Sequence, residues 1–83
     1  MSNKEAKIYK YTAIFEKAEE GGYVVKIPFL PGCFTQGETF EEAKIMATKA
    51  IKEYIAVLKE DNEEIPKESE EKIETILTIP VSA

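Results

Sequence analysis

Apolar and polar residues alternate in three segments of the first half of the chain, at 8–15, 23–28 and 33–36. A period of two is that of a half-buried β-strand, so each segment is predicted to be a strand. Gly21 and Gly22 lie between the first two segments, where a tight hairpin loop needs positive φ values. Pro28 lacks the N–H group that a strand ladder uses, so pairing is expected to stop there. The pattern predicts an antiparallel three-stranded meander.

The segment Leu30-Pro31-Gly32-Cys33 has the composition of a type II turn between the second and third strands. Pro31 fixes the negative φ of the second turn position, and Gly32 supplies the positive φ of the third. The chain is therefore expected to reverse its direction at this turn.

A single long helix is predicted over residues 40–61. Thr39 and Glu42 have the spacing of a capping box, in which the hydroxyl accepts from the Glu42 amide and the carboxylate accepts from the Thr39 amide. Asn62 is expected to end the helix, because Asn tolerates the positive φ of a left-handed cap. Apolar residues between these ends recur every three or four positions, the period of one helix face: Phe40, Ala43, Met46, Ala47, Ala50, Ile51, Tyr54, Val57 and Leu58.

Residues 62–72 are charged and contain Pro66, so an exposed connection is expected there, followed by a fourth strand over 73–81. A strand–helix–strand crossover is usually right-handed and makes the two strands parallel. The predicted fold class is therefore α+β. We expect a single small domain over residues 1–83, with an ordered core at about 8–81 and the element order βββαβ.

One helix covers only one face of such a sheet. The other face is predicted to carry several apolar side chains among its polar ones: Ile8, Ile14, Val24, Phe34 and Ile76. Contiguous apolar surface of this kind marks an interaction site. We therefore expect a partner protein on the open face, or a homo-oligomer (dimer or tetramer) that uses this face or a sheet edge.

The chain contains no His, Trp or Arg, and Asp61 is its only aspartate. This composition leaves no base for a Ser or Cys nucleophile, too few ligands for a His/Cys zinc site and no guanidinium for phosphate. We therefore expect no enzyme activity, no metal and no cofactor. Residues 1–37 hold five Lys and four Glu, a net +1, whereas residues 38–83 hold six Lys and twelve carboxylates, a net −6. An acidic half repels nucleic acid and favours a basic protein partner.

Three groups of reactive or charged residues have structural explanations. Cys33 has no neighbouring His or Arg to lower its thiol pKa, and we interpret it as a small packed apolar residue. The carboxylates of Glu38, Glu41 and Glu42 suit the positive end of the helix dipole better than a metal site. The acidic run at 60–64 lacks the alternating ligands and central Gly of a calcium loop, and it is interpreted as a solvated helix end.

The sequence also bears on location. No apolar run approaches the roughly 20 residues of a membrane span, and the N-terminus lacks the apolar stretch of a secretory signal. A single cysteine fits a reducing compartment. These features predict a cytoplasmic protein that does not enter a membrane.

Several short motifs between Tyr11 and Ala43 carry a family resemblance: Tyr11-Thr12-Ala13-Ile14-Phe15-Glu16, Gly22-Tyr23-Val24-Val25, Pro28-Phe29-Leu30-Pro31-Gly32-Cys33, Thr35-Gln36-Gly37-Glu38-Thr39 and Glu41-Glu42-Ala43. Each motif alone is weak, but their order and spacing together are specific. The chain resembles the HicB family of antitoxins, and the similarity continues through the helix to Ile65-Pro66.

The resemblance implies a partial ribonuclease H-like fold with the same βββαβ order. It also implies a partner, because HicB-like proteins bind and inactivate a small basic HicA toxin that cleaves RNA. Many members carry a C-terminal helix-turn-helix or ribbon-helix-helix domain that binds operator DNA. No such domain is expected here, so direct DNA binding is not expected from this chain. The sequence departs from the family at Phe29, where members commonly carry an acidic residue.

The sequence therefore predicts an antitoxin-like protein of a type II toxin–antitoxin system that neutralises a HicA-like toxin by protein–protein binding. The predicted contact residues are Phe29, Leu30, Gly32, Cys33, Thr35, Glu38 and Glu41. Two alternatives remain open. One is an orphan small-molecule-binding or remnant RNase H-like hydrolytic domain, for which Glu16 is the acid available on the first strand, and the other is a structural oligomerisation module.

Overall fold

The computed structural model describes residues 8–68 and 75–82 of the chain. The described residues form three strands and one helix in the order β1 (Ile14–Lys17), β2 (Tyr23–Lys26), β3 (Phe34–Gly37) and α1 (Phe40–Glu60). The strands pair antiparallel in the spatial order β1-β2-β3, and α1 packs against one face of the sheet. The predicted α+β class, the meander and the long helix are confirmed.

β1 begins later in the chain than the predicted strand at 8–15. Ile14 pairs with Lys26, the last residue of β2, and a turn closed by the Leu30 N–H and the Ile27 carbonyl follows directly. Residues 8–13 therefore have no partner on β2, and the prediction of a strand there was wrong. An alternating pattern makes a strand only where a neighbouring strand offers hydrogen bonds.

The segment before β1 instead contacts the chain that follows the helix. The Tyr11 hydroxyl donates to the Pro66 carbonyl oxygen at 2.5 Å, and the Thr12 N–H donates to Glu68 Oε1 at 2.8 Å. The Thr12 hydroxyl also donates to the Glu68 carboxylate. These bonds hold residues 66–68 beside the segment that precedes β1.

Small residues allow α1 to lie close to the sheet. Ala43 and Ala47 are buried on the helix, and a Cβ atom at Gly37 would lie 2.5 Å from the Ala43 nitrogen. The rest of the fully buried core comes from β2 and the turn before β3: Val25, Ile27, Leu30 and Cys33. Phe15 and Tyr23 extend this core by packing their rings against Phe40, with centroid distances of 4.8 and 5.8 Å. Tyr23, Val25 and Ile27 thus contribute to the core between the sheet and α1.

Both predicted helix ends are confirmed. The Thr39 hydroxyl accepts from the Glu42 N–H at 3.0 Å, and the helix begins at Phe40. At the other end, Asn62 has a φ of +55°. Its N–H donates to the Lys59 carbonyl, and the Glu63 N–H donates to the Leu58 carbonyl. This pair of bonds is the Schellman arrangement, which satisfies carbonyls that the last helical turn leaves without partners.

The predicted fourth strand over 73–81 begins outside the described residues. Its described part, within 75–82, takes no regular secondary structure and joins neither edge of the three-stranded sheet. The four large apolar side chains of this segment are exposed: Ile76, Leu77, Ile79 and Val81. The described fold is therefore three antiparallel strands followed by one helix.

Candidate protein-binding surface

The chain between β2 and β3 forms two consecutive turns. The Leu30 N–H donates to the Ile27 carbonyl at 3.0 Å, and the Cys33 N–H donates to the Leu30 carbonyl at 2.9 Å. Gly32 has a φ of +82°, so the predicted Pro31-Gly32 turn is confirmed. The Ile27 N–H closes the base of the loop by donating to the Cys33 carbonyl at 3.1 Å. Backbone hydrogen bonds thus fix the shape of this loop.

Side chains anchor the same loop to the core and to the helix. Leu30 is 0% exposed and lies in the core beneath the loop, while Pro31 and Gly32 remain exposed. The Tyr54 hydroxyl on α1 donates to the Pro31 carbonyl oxygen at 2.7 Å. The loop therefore presents a surface that is already ordered before a partner binds, which lowers the entropic cost of binding.

Cys33 is buried at the start of β3. Burial raises the pKa of its thiol above the ordinary value, so the reactive thiolate is disfavoured. The interpretation of Cys33 as a packed apolar residue agrees with its place among Leu30, Ala47 and their neighbours in the core.

The start of α1 carries three exposed carboxylates, those of Glu38, Glu41 and Glu42. The Glu42 carboxylate accepts from the Glu38 N–H at 2.6 Å. The prediction that the Glu42 carboxylate accepts from the Thr39 amide was wrong, because it accepts instead from the amide of Glu38, one residue earlier. Glu41 lies 3.6 Å from the Lys44 ammonium in an exposed ion pair, which is weak in water. Negative charge therefore concentrates where the helix dipole favours it.

β3 connects the two-turn loop to the acidic helix start. The loop ends at Cys33, directly before β3, and Glu38 follows Gly37 at its other end. A four-residue strand spans about 13 Å, so the loop and the acidic residues lie at opposite ends of a short exposed ribbon. Among the described strands only β2 pairs with β3, so β3 is an edge strand of this sheet. We call the loop, β3 and the helix start together the β3 surface (residues 28–42).

The predicted contact residues fall into three groups on the β3 surface. Gly32, Glu38 and Glu41 are exposed, whereas Phe29 and Thr35 are half-buried. Leu30 and Cys33 are buried, so their side chains support the surface from beneath. The structure thus places all seven residues along one ribbon and leaves five of them within reach of a partner.

The face of the sheet opposite α1 is a second exposed surface. Ile14, Lys26 and Phe34 are paired across the three strands and therefore share this face, with Val24 in the next row. The apolar members are 39%, 64% and 40% exposed for Ile14, Phe34 and Val24. Phe34 belongs to β3, yet it was missing from the predicted contact residues although the alternating pattern had placed it on this open face. Its exposure makes it a candidate contact residue.

Potential metal ligands do not cluster in the part of the chain that the structure describes. Across residues 8–68 and 75–82, no group of three His, Cys, Asp or Glu side chains is placed to hold a metal ion. Glu16 lies on the open face with Val24 as its paired neighbour. No helix within the same residues is long and apolar enough to cross a bilayer.

A three-stranded meander covered on one face by a single helix defines a small α+β domain with an exposed sheet edge. Residues 11–80 match the family model described as the HicB-like antitoxin of bacterial toxin–antitoxin systems. The match covers most of the chain, including the whole β3 surface. The chain belongs to this family, and the resemblance stated from its sequence motifs is confirmed.

Individual relatives agree with the family match. The UPF0150 protein of Thermoplasma acidophilum is 55% identical over 64 residues, which cover 77% of this chain and 93% of the relative. Antitoxin HicB 1 of Photorhabdus laumondii is 46% identical over 57 residues, covering 69% of this chain and 37% of the relative. Antitoxin HicB of Escherichia coli is 40% identical over 57 residues, covering 69% of this chain and 41% of the relative. The chain spans about two fifths of each named HicB antitoxin.

Proposed function

We propose that this chain is an antitoxin that binds a small basic toxin of the HicA type and neutralises it by covering its RNA-binding surface. The observation that carries the proposal is the family match over residues 11–80, which includes the loop, the edge strand and the acidic helix start. An RNA-cleaving toxin must attract phosphate, so its working surface is positively charged. A negatively charged protein surface blocks that region by binding alone, without a catalytic step.

The β3 surface has the properties that such binding requires. Its loop is fixed by backbone hydrogen bonds and by the Tyr54–Pro31 bond, so little ordering accompanies association. Its edge strand offers unpaired backbone groups for strand addition. The Glu38 and Glu41 carboxylates are exposed at one end, where they attract a basic partner over a Debye length of about 8 Å. Complementary charge raises the association rate more than it raises affinity.

We propose five residues as direct toxin contacts: Phe29, Gly32, Thr35, Glu38 and Glu41. Leu30 and Cys33 act indirectly, because they are buried and hold the loop in its shape. Phe29 makes an apolar contact. It cannot make the charged interaction that an acidic residue at this position would make.

The wider architecture is part of the same proposal. The complete domain adds a fourth strand after the helix, in the manner of a partial ribonuclease H-like fold, and works as a homo-oligomer in the cytoplasm. The apolar residues of the open face, Ile14, Val24 and Phe34, support the oligomer because an isolated domain exposes them to water. The protein has a binding role rather than an enzymatic one.

The proposal is tested by reversing charge on the β3 surface. The double variant Glu38→Lys/Glu41→Lys is compared with the control Glu60→Lys/Glu63→Lys, which changes the net charge by the same four units. The control residues lie at the far end of α1, about 30 Å away along a 21-residue helix. Association of each protein with a HicA-type toxin is measured by stopped-flow fluorescence at several salt concentrations.

We expect the β3-surface variant to associate about tenfold more slowly than the wild type at low salt, with a flatter salt dependence. The control is expected to keep most of the wild-type rate. Circular dichroism checks that both variants fold, because lysine at a helix N-terminus costs roughly 0.5 kcal/mol. Equal rates for the two variants would show that the β3 surface does not steer the toxin.

A further inference from the structure

The segment 75–82 has the composition of a buried strand but is exposed. It contains no charged residue, although 33% of the whole chain is charged. Ile76 is 91% exposed, and Leu77, Ile79 and Val81 are 74%, 70% and 81% exposed. Solvated tails are usually polar and charged, since apolar side chains in water are unfavourable. We call residues 75–82 the tail.

The tail takes no part in the packed core of its own chain. It joins neither edge of the described three-stranded sheet, and none of its side chains belongs to the core cluster or packs against it. Its apolar side chains therefore remain without an apolar partner in the described residues.

The last described residues before the tail, residues 66–68, lie beside the segment that precedes β1. Pro66 and Glu68 accept hydrogen bonds from Tyr11 and Thr12, directly before β1. In the described sheet, β1 pairs only with β2, so its outer edge is open to another strand. The opposite edge is β3, which belongs to the toxin-binding surface proposed above. The β1 edge is thus the one that a second strand can occupy without competing with the toxin.

We propose that the tail of one copy pairs as a strand with β1 of a second copy, and that the exchange is reciprocal in a two-fold symmetric dimer. Leu77, Ile79 and Val81 alternate with Thr78 and Pro80, so three large side chains share one face. When the tail lies beside β1 of the second copy, these three side chains are on the side of the sheet that the helix covers, next to Phe15. Ile76 is then on the opposite, open side of the sheet, next to Ile14.

The exposed area is large enough for a stable pair. At roughly 100 Å² for each large aliphatic side chain, two tails remove about 800 Å² of apolar surface from water. The surfaces that the two tails cover lose a similar solvent-accessible area. The total is then near 1,600 Å², about the size of a standard protein–protein interface. Strand pairing adds backbone hydrogen bonds along each tail. The inference specifies the homo-oligomer proposed above, and it rests on the proposed function for the choice of the β1 edge over the β3 edge.

Light scattering coupled to size-exclusion chromatography measures the mass of the 83-residue protein at micromolar concentration. We expect a dimer, twice the chain mass of 9.4 kDa. The variant Leu77→Lys/Ile79→Lys is expected to be a monomer, with its dimer dissociation constant raised at least a hundredfold. Both side chains are exposed in the single chain, so the variant leaves the fold of each domain intact. The control Thr78→Lys/Ser82→Lys adds the same charge on the other face of the tail and is expected to remain a dimer.

Isotope-filtered NMR then locates the tail. A mixture of ¹⁵N-labelled and ¹³C-labelled copies is expected to give contacts between tail amides of one copy and β1 side chains of the other. A wild-type monomer, a dimer that survives Leu77→Lys/Ile79→Lys, or tail–β1 contacts confined to one chain would overturn the proposal. Toxin association is measured on the same variant and is expected to stay within about twofold of the wild-type rate. Failure of the exchange is therefore distinguishable from failure of the antitoxin role.

Discussion

Tyr54, in the C-terminal half of α1, donates its hydroxyl proton to the backbone carbonyl oxygen of Pro31 at 2.7 Å. The bond joins the helix to the exposed turn that begins the β3 surface. Leu30, the neighbour of Pro31, is buried in the core, and Tyr54 packs against the same core. The loop is therefore attached at two adjacent residues, by a side chain at Leu30 and by a backbone carbonyl at Pro31. The proposed binding surface is therefore shaped by the helix as well as by its own turn residues.

Removing the Tyr54 hydroxyl is expected to loosen this loop while leaving the core packed. For Tyr54→Phe we expect the free energy of unfolding to fall by about 1 kcal/mol, the usual net value of one hydrogen bond. Amide hydrogen exchange at residues 30–33 is expected to accelerate more than exchange in β2. Urea unfolding and exchange monitored by NMR measure the two effects.

Tyr23→Phe is the matched control for this prediction. The Tyr23 ring packs edge-on against Phe40, and its hydroxyl makes no hydrogen bond to the described residues. We expect unfolding and loop exchange in this control to match the wild type closely. A loss of loop protection of the same size in both variants would contradict the role assigned to Tyr54.

The contact between Gly37 and Ala43 is expected to be the most sensitive point of sheet–helix packing. In Gly37→Ala the new Cβ would lie 2.5 Å from the Ala43 nitrogen and 2.7 Å from its Cα. Both are backbone atoms that cannot rotate away, so the helix start must move. We expect a loss of about 2 to 3 kcal/mol in the free energy of unfolding, measured with urea.

Gly32→Ala separates steric crowding from backbone strain. Gly32 has a φ of +82°, and nothing lies within 4 Å of the position that a Cβ would take. The expected cost is about 1 kcal/mol, which is the penalty of a left-handed conformation for an L-residue. If Gly32→Ala destabilised the protein as much as Gly37→Ala, crowding against Ala43 would not be the dominant effect.

Features that depend on neighbouring residues in the sequence were predicted well. The Pro31-Gly32 turn and the Asn62 cap follow from the φ values those residues adopt easily, and the Thr39 cap follows from a three-residue spacing. The length of α1 was predicted to within one residue, because a periodic apolar face extends over its whole length. Local chemistry is sufficient for these elements.

Features that depend on distant partners were predicted less well. Residues 8–13 alternate like a strand, but β2 ends before it reaches them. The tail also has strand composition, yet its described residues pair with neither sheet edge. The burial of individual loop residues could not be predicted either. Leu30 and Pro31 are adjacent in sequence, and only the folded turn directs Leu30 into the core. Pairing and burial are properties of the assembled sheet and helix.

The bond from Tyr11 to Pro66 is expected to make stability sensitive to alkaline pH. Burial raises the pKa of the Tyr11 hydroxyl above 10.0, with smaller contributions in the same direction from Tyr9 and Glu68. The folded protein therefore holds this proton more tightly than the unfolded chain does. The resulting stability is fully present below the unfolded pKa near 10 and is lost as pH rises through the folded pKa.

Tyr11→Phe tests this dependence, because the variant lacks both the proton and the bond to Pro66. At neutral pH we expect it to be less stable than the wild type by about 1 kcal/mol. Between about pH 9 and 11 the wild-type free energy of unfolding is expected to fall more steeply, so the difference shrinks. Glu68→Gln keeps the Tyr11 hydroxyl but removes one charge that raises its pKa, and its slope is expected to be intermediate. Parallel pH curves for the wild type and Tyr11→Phe, measured by urea unfolding, would show that Tyr11 does not titrate with folding.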